Sequence, residues 1–244
     1  MKLHRFLVGK IEFVKNNSQQ ITLTDKENKE LLNQILNVFR MRAGGQFILF
    51  DGSGTEYLVE MVEGENKSRK EVLCEIKEER QGLKRNKKLN LVFALIRKEN
   101  TELVLQKCTE IGVTNFIPMF TERTVKFGWK RERLEKIVAE ATEQSGWSDI
   151  PQIQEPEKLE KILEKFKKEK ENLDGLCVLD FGGVQLSTIK HLISVDTIFV
   201  GPEGGFTDKE RNLFKKYNIK TISLGPNTLR AETACISVSS IFLL

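Results

Sequence analysis

The sequence predicts an α/β domain on a largely parallel sheet, preceded by a small β-barrel, within 244 residues. Three observations carry this. Residues 1–76 hold short runs rich in β-branched and aromatic residues, interrupted by one helical segment. From residue 77 onward, buried-strand patterns alternate with amphipathic helices, the order expected of a parallel sheet. Between them EERQGLKRNKKLN, residues 78–90, is polar and strongly basic and reads as a linker. The expected domains are therefore 1–76 and 77–244.

In the first domain FLVGKIEFV, QQITLT, QFILF, TEYLVEMV and KEVLCEI are the strand candidates, and DGSG at 51–54 is a tight hairpin turn. KELLNQILNVFRM places Leu31, Leu32, Ile35, Leu36 and Phe39 at helical spacing. In the second domain LNLVFALI and NFIPMF read as buried strands. TELVLQKCTEIGV is an amphipathic helix that stops at Gly112, and RERLEKIVAEATEQSG is a second helix. KLEKILEKFKKEKENL is a third, with Leu159, Ile162, Leu163 and Phe166 on one stripe and a solvated face of lysines. LCVLDF, DTIFV and TISL follow as strands, and ACISVSSIFLL closes the chain as an apolar helix, either buried in the core or at a dimer interface.

Hydrophobic residues make up 39% and charged residues 30%, the balance of a soluble globular protein. The net charge of +4, from 39 basic and 35 acidic residues, announces no nucleic-acid partner by itself. Cys74, Cys108, Cys177 and Cys235 form no Cys-x-x-Cys pair, and the histidines are His4 and His191, so no metal site is expected. Free thiols point to a reducing, cytoplasmic setting. The start MKLHRFLVGK has no signal-peptide pattern, and no apolar run is long enough to span a membrane.

The chemistry concentrates near the end of the chain. IFVGPEGGFTDKE (198–210) and TISLGPNTLRAETA (221–234) each place a Gly-Pro loop at a strand end, and LCVLDFGG adds a third glycine-bearing loop. One such loop is ordinary turn chemistry. Three at the carboxyl ends of parallel strands mark the place where open α/β sheets bind ligands. Thr207 and Glu210 match a capping box, so Gly201–Phe206 must be a tight strand-to-helix connection. No lysine follows GPEGG as a P-loop requires, Glu203 would repel a phosphate, and the Rossmann Gly-x-Gly-x-x-Gly is absent. A weakly charged ligand such as an adenosine fits better, with Leu179, Leu224 and Leu229 as apolar walls. Arg230, Glu232 and Thr233 open the last helix, where Glu232 is either a favourable charge for the helix dipole or part of a site.

GPEGGFTDKE and LGPNTLRAETA resemble the signature of the SPOUT methyltransferases, in particular the 16S ribosomal RNA uracil-N3 methyltransferases. HRFLV, NVFRMRAGGQFILFDGSG, ELVLQKCTEIGV, IPMFTERTV and AEATEQSGW extend the resemblance over almost the whole chain. The resemblance implies a PUA-like barrel followed by a trefoil-knotted catalytic domain and an obligate homodimer. It implies S-adenosylmethionine held in a bent form by Leu179, Gly201, Pro202, Glu203, Gly204, Gly205, Leu224, Gly225, Leu229 and Thr233. The substrate it implies is a uridine of 16S RNA in the small ribosomal subunit. Where the family commonly has arginine, this chain has Trp147 and Asn227.

Uracil N3 carries a proton that must leave before or during attack, which calls for a base or for stabilisation of the anion. Arg230 is the candidate for charge stabilisation. Glu232 either orients it or takes the proton, and Glu143 and Gln144 are further candidates for orienting the base. N3 lies on the pairing edge, so the uridine must be unpaired or flipped. Arg5, Arg40, Arg42, Arg97, Lys98 and Arg123 are the candidate phosphate contacts. A ribose or other-base methyltransferase and a non-catalytic RNA-binding assembly factor are the alternatives.

Overall fold

The computed structural model describes residues 3–9, 20–62, 71–124, 128–169, 172–189 and 194–244. His191 and part of the FLVGKIEFV run lie outside the described residues. The chain forms two compact units: Met1–Lys84 with Thr142–Ile150, and Arg85–Ala141 with Pro151–Leu244.

The first unit holds β1 (Arg5–Leu7), β2 (Gln20–Thr24), β3 (Gln46–Phe50), β4 (Thr55–Met61) and β5 (Glu71–Gln81). They form one five-stranded sheet in the order β1-β3-β4-β5-β2, with β1 parallel to β3 and the other pairs antiparallel. Alternation along the strands sends Phe6, Ile21, Leu23, Phe47, Leu49, Val59, Val72 and Cys74 into a single core. Leu31, Leu32 and Ile35 join it from the helical segment, as their spacing predicts. That segment is not one uniform helix. It runs as α1 (Asp25–Asn33), with non-helical dihedrals at Asn28, and ends in a π-helical turn, Gln34–Val38.

Glu78–Gln81 is not linker but the end of β5, paired with Thr55–Leu58 of β4. Long-range charge pairing decides it. Arg80 faces Glu56 across the ladder, and its Nε donates to Glu56 Oε2 at 3.2 Å.

The second unit contains β6 (Asn90–Ala94), α2 (Lys98–Ile111), β7 (Asn115–Phe120), α3 (Arg131–Ser145, of which the last turn belongs to the first unit), β8 (Gln152–Ile153) and β9 (Glu157–Lys158). It continues through α4 (Leu159–Glu169), β10 (Leu176–Gln185), α5 (Leu186–Ile189), β11 (Thr197–Val200), α6 (Asp208–Lys216), β12 (Lys220–Ser223) and α7 (Ala231–Leu243). The strands form an all-parallel sheet, β12-β10-β11-β6-β7-β8, with β9 also on β7. Both faces are covered, as an all-parallel sheet requires. Along β6, Leu91 and Phe93 enter the core under α2 and α7, while Val92 and Ala94 enter the core under α4 and α6. The predicted α4 stripe of Leu159, Ile162, Leu163 and Phe166 is buried. Gly112 ends α2 in the left-handed conformation at φ 113°, the usual glycine C-cap.

β10 departs from its sequence reading. DFGG does not end the strand; it is an excursion within it. Both Leu179 and Val184 register against Ile222 of β12, so Asp180–Gly183 loop out between them. Gly183 makes this possible, since a Cβ there would sit 2.6 Å from the Ile222 carbonyl carbon.

Candidate active site

Beyond the carboxyl ends of β11 and β12, beside the β10 excursion, lies a cavity of about 630 Å³, counting its open mouth. Three segments form its walls: Leu179–Phe181, Val200–Phe206 without Gly204, and Ser223–Leu229 without Pro226, closed by Ala231 and Ala234 of α7. The structure thus brings together Leu179, Gly201, Pro202, Glu203, Gly205, Leu224, Gly225 and Leu229. Gly204 and Thr233 are not on the lining, although both adjoin residues that are. Asp180, Phe181, Asn227 and Thr228 also line it, and of these the sequence reading singles out only Asn227. The DFGG signal was visible, but only the strand's return beyond it turns that loop into a cavity wall.

The GPEGG loop is shaped from within and clamped from outside. Gly205 N–H donates to the Pro202 carbonyl at 2.8 Å, closing a turn, and Gly205 takes φ 67°, which favours glycine. The predicted capping box is present: Glu210 N–H donates to Thr207 Oγ1, and Thr207 N–H donates to Glu210 Oε2. The other oxygen of the buried Glu210 accepts the Glu122 N–H at 2.9 Å, and Arg123 donates to the Gly204 carbonyl. Arg123, expected on RNA, is exposed and holds this loop.

A second clamp joins two walls. The Asp180 carboxylate takes two hydrogen bonds from Arg211 of α6, Nε to Oδ2 at 2.6 Å and Nη2 to Oδ1 at 3.3 Å. Its Oδ1 also accepts the Phe181 N–H at 2.8 Å. The Asp180 hydrogen bond raises the Arg211 pKa further. This fork geometry fixes the start of the β10 excursion to the helix that follows GPEGG.

Arg230 is exposed at the N-cap of α7, between the cavity-lining Leu229 and Ala231. Among the described residues its side chain has no hydrogen-bond or ion-pair partner, and no pair joins it to Glu232. Glu232 is buried at 7% exposure, and its Oε2 has no hydrogen-bond partner among the described residues. A cation at the rim and a buried carboxylate oxygen without a hydrogen-bond partner, two positions apart, leave both groups available for chemistry.

The remaining candidates are elsewhere. Glu143 belongs to the first unit, where its Oε1 accepts the Leu7 N–H at 2.7 Å. Arg5 is turned inward: it pairs with Glu56, donates to Trp147 O and Ser148 Oγ at 3.1 Å, and lies 5.0 Å over the Phe50 ring. That guanidinium is an internal strut, which corrects its assignment to phosphate. Arg40 and Arg42 are exposed. So are Arg97, at the N-cap of α2, and Lys98, which lies 3.9 Å from Glu102. Burial pushes the thiols of Cys74 and Cys108 up to about 12 and that of Cys177 to about 11, and raises Cys235 well above its usual value. None of the four is a thiolate nucleophile near neutral pH. Among the described residues no cluster of three metal-ligating side chains exists.

Among the described residues no lysine or arginine lines the cavity, while Asp180 and Glu203 do. Apolar walls for a base and ribose, backbone groups of three segments and the exposed carboxylate of Glu203 suit a ligand with a cationic centre. They do not suit a nucleoside phosphate. This donor set fits a sulfonium-bearing nucleoside.

Residues 84–243 match the family model described as RNA methyltransferase domain, and residues 35–76 match that of the RNA methyltransferase PUA domain. Fold and cavity thus define a PUA-type RNA methyltransferase. The relatives are narrower in kind. A ribosomal RNA small subunit methyltransferase E of Rickettsia conorii is 32% identical over 84% of this chain and 83% of its own length. That of Synechocystis is 31% identical over 88% and 69%. The chain belongs to the ribosomal RNA small subunit methyltransferase E family. Among solved structures, the Neisseria gonorrhoeae enzyme of that name, bound to S-adenosyl methionine, superposes with TM-score 0.82 at 25% identity, covering 98% of this chain and 96% of its own. A putative methyltransferase from Legionella pneumophila with bound SAM gives 0.80 at 26% identity, over 99% and 97%.

Proposed function

We propose that this protein transfers the methyl group of S-adenosylmethionine to N3 of one uridine in the 16S RNA of the small ribosomal subunit. The observation that carries the reading is the cavity walled by the β10 excursion and two strand-end loops, free of lysine and arginine among the described residues, with Arg230 at its rim. S-adenosylmethionine supplies an electrophilic methyl on a positively charged sulfur. Leu179, Leu224 and Leu229 cover the adenosine, the GPEGG turn presents backbone groups to it, and Glu203 favours the cationic end. Arg230 stabilises negative charge on a uracil carbonyl oxygen as the N3 proton leaves. Glu232 receives that proton or orients Arg230. Arg40, Arg42, Arg97 and Lys98 contact phosphates.

The reading includes a homodimer, supported by the apolar end of α7, where Leu244 is 85% exposed and Ile241, Phe242 and Leu243 are half-buried. It includes a trefoil knot, supported by β12 crossing past β11 to lie outside β10. A cytoplasmic setting is supported by four unpaired cysteines, and among the described residues no helix is long and apolar enough to cross a membrane. The test is methyl transfer from labelled S-adenosylmethionine to small subunits lacking the modification, followed by nucleoside analysis. N3-methyluridine at one site is the expected product. Label in another nucleoside or on a ribose replaces the base assignment, and no label beside an active control removes the reading.

The Asp180–Arg211 clamp gives a second expectation. Arg211→Ala strands a nearly buried carboxylate at the cavity wall, with side-chain exposure of 6%. Cofactor affinity measured by calorimetry should fall about tenfold, the scale of one charge-assisted hydrogen bond. Arg211→Lys, which keeps charge without the fork, should recover only part. Unchanged affinity in both would make the clamp irrelevant to binding.

A further inference from the structure

We propose that His4, Phe39, Arg40 and Arg42 form a built platform for one unpaired base and its flanking phosphates in a single-stranded RNA segment. The proposal rests on the reading of an RNA substrate and adds the place and mode of contact. Three independent features converge on this short segment. First, the backbone is unusual. The π-helical turn Gln34–Val38 leads to Phe39 N–H donating to Gln34 O at 2.8 Å and Met41 N–H donating to Ile35 O at 2.9 Å. Arg40 then takes φ 51°, a left-handed conformation that non-glycine residues rarely adopt. π-turns and such strained residues concentrate at functional sites.

Second, the segment turns apolar surface outward. Val38 is 62% and Phe39 39% exposed, beside an exposed His4. The rings of His4 and Phe39 lie 4.0 Å apart between centroids, tilted by 42°. Phe39 is also held edge-on by the buried Phe6 at 5.6 Å, which packs on Phe47 at 5.6 Å. The plate is therefore anchored to the core and presents a fixed π-surface. A base stacks on such a surface whatever its identity.

Third, the charge beside it has one sign. Arg40 and Arg42 are exposed on either side of Met41, which is packed against the core. Among the described residues neither has a hydrogen-bond or ion-pair partner for its side chain. Aromatic plate plus free guanidinia is the surface that single-stranded RNA requires, since stacking and phosphate neutralisation are its two contacts. The match to an RNA methyltransferase PUA domain begins at residue 35, inside this segment.

The test uses the full chain and a short unstructured RNA carrying one 2-aminopurine, whose fluorescence is quenched on stacking. The wild-type protein should bind and quench it. Phe39→Ala should abolish the quench and weaken binding about tenfold to a hundredfold, and Phe39→Trp should keep both. Arg40→Gly separates binding from folding. Glycine is at ease at φ 51°, so thermal stability should hold or rise while affinity falls. The slope of log affinity against log salt should decrease by about 0.7 for each arginine removed. Tight binding with an intact quench in Phe39→Ala overturns the platform. No binding by wild-type protein that still methylates small subunits overturns it while the proposed function stands. A change of sedimentation in Phe39→Ala without any effect on RNA makes the patch a contact between copies and also overturns it. Loss of methyl transfer to subunits by the wild-type protein would instead remove the proposed function.

Discussion

Replacing Arg230 with alanine lowers methyl transfer to small ribosomal subunits by about 10²- to 10³-fold, the cost of removing one charge-stabilising donor from an active site. Cofactor affinity should stay within about twofold, because Arg230 is not among the residues lining the cavity. The fold should be untouched. Arg230 occupies the N-cap of α7 without making a side-chain capping bond, and among the described residues its guanidinium holds nothing else in place. The kinetic pattern follows from differential binding: an interaction made mainly as charge develops lowers kcat and kcat/KM together. Arg230→Lys should fall between, since an ammonium keeps charge but loses the planar fork. Glu232→Gln should lower transfer, and Glu232→Asp, which keeps the carboxylate, should recover part of it. Full turnover in Arg230→Ala, beside an active wild-type control, would remove Arg230 from the mechanism.

The parts of this molecule legible in its sequence are those set by local pattern. The α4 stripe, the Gly112 stop, the Thr207–Glu210 capping box and the parallel strands all follow from periodicity and turn chemistry. The Gly-Pro loops pointed to the cavity because strand ends and loop residues are adjacent in sequence. What stayed hidden is set by contacts between distant residues. The second leg of β10 is strand only because Val184 finds Ile222 of β12. Asp180 becomes a wall residue only through Arg211, 31 positions later. Arg5 and Glu143 read as free functional groups, yet their partners lie 51 and 136 positions away. A charged residue in one sequence carries no sign of whether its partner is phosphate or a buried carboxylate.

Glu56 should carry the largest stability effect in the first unit. Its side chain is 4% exposed and meets Arg5, Arg80 and Ser148 Oγ at once. Arg5 is itself only 10% exposed. Glu56→Ala leaves that guanidinium buried without its counter-ion, and breaking a buried pair in this way costs about 3–5 kcal/mol. Glu56→Gln keeps the shape and part of the hydrogen bonding and should cost less. The pH dependence has a definite sign. Burial pushes the Glu56 carboxyl up, but hydrogen bonds from Ser148 and Arg5, the Arg5 charge and Arg80 outweigh it, and the group lies below its ordinary value of 4.5. A carboxyl depressed in the folded state binds protons more readily when unfolded. Its contribution is therefore complete above pH 4.5 and fades as pH falls through the folded value. Urea unfolding followed by Trp147, with Trp129→Phe to silence the other tryptophan, reads this unit directly. The stability gap between wild type and Glu56→Gln should be constant from pH 7 to about pH 5.5 and narrow below pH 4.5. A gap that widens on acidification would mean that the Glu56 carboxyl is protonated in the folded state, and the strut assigned to Arg5 would lose its anion.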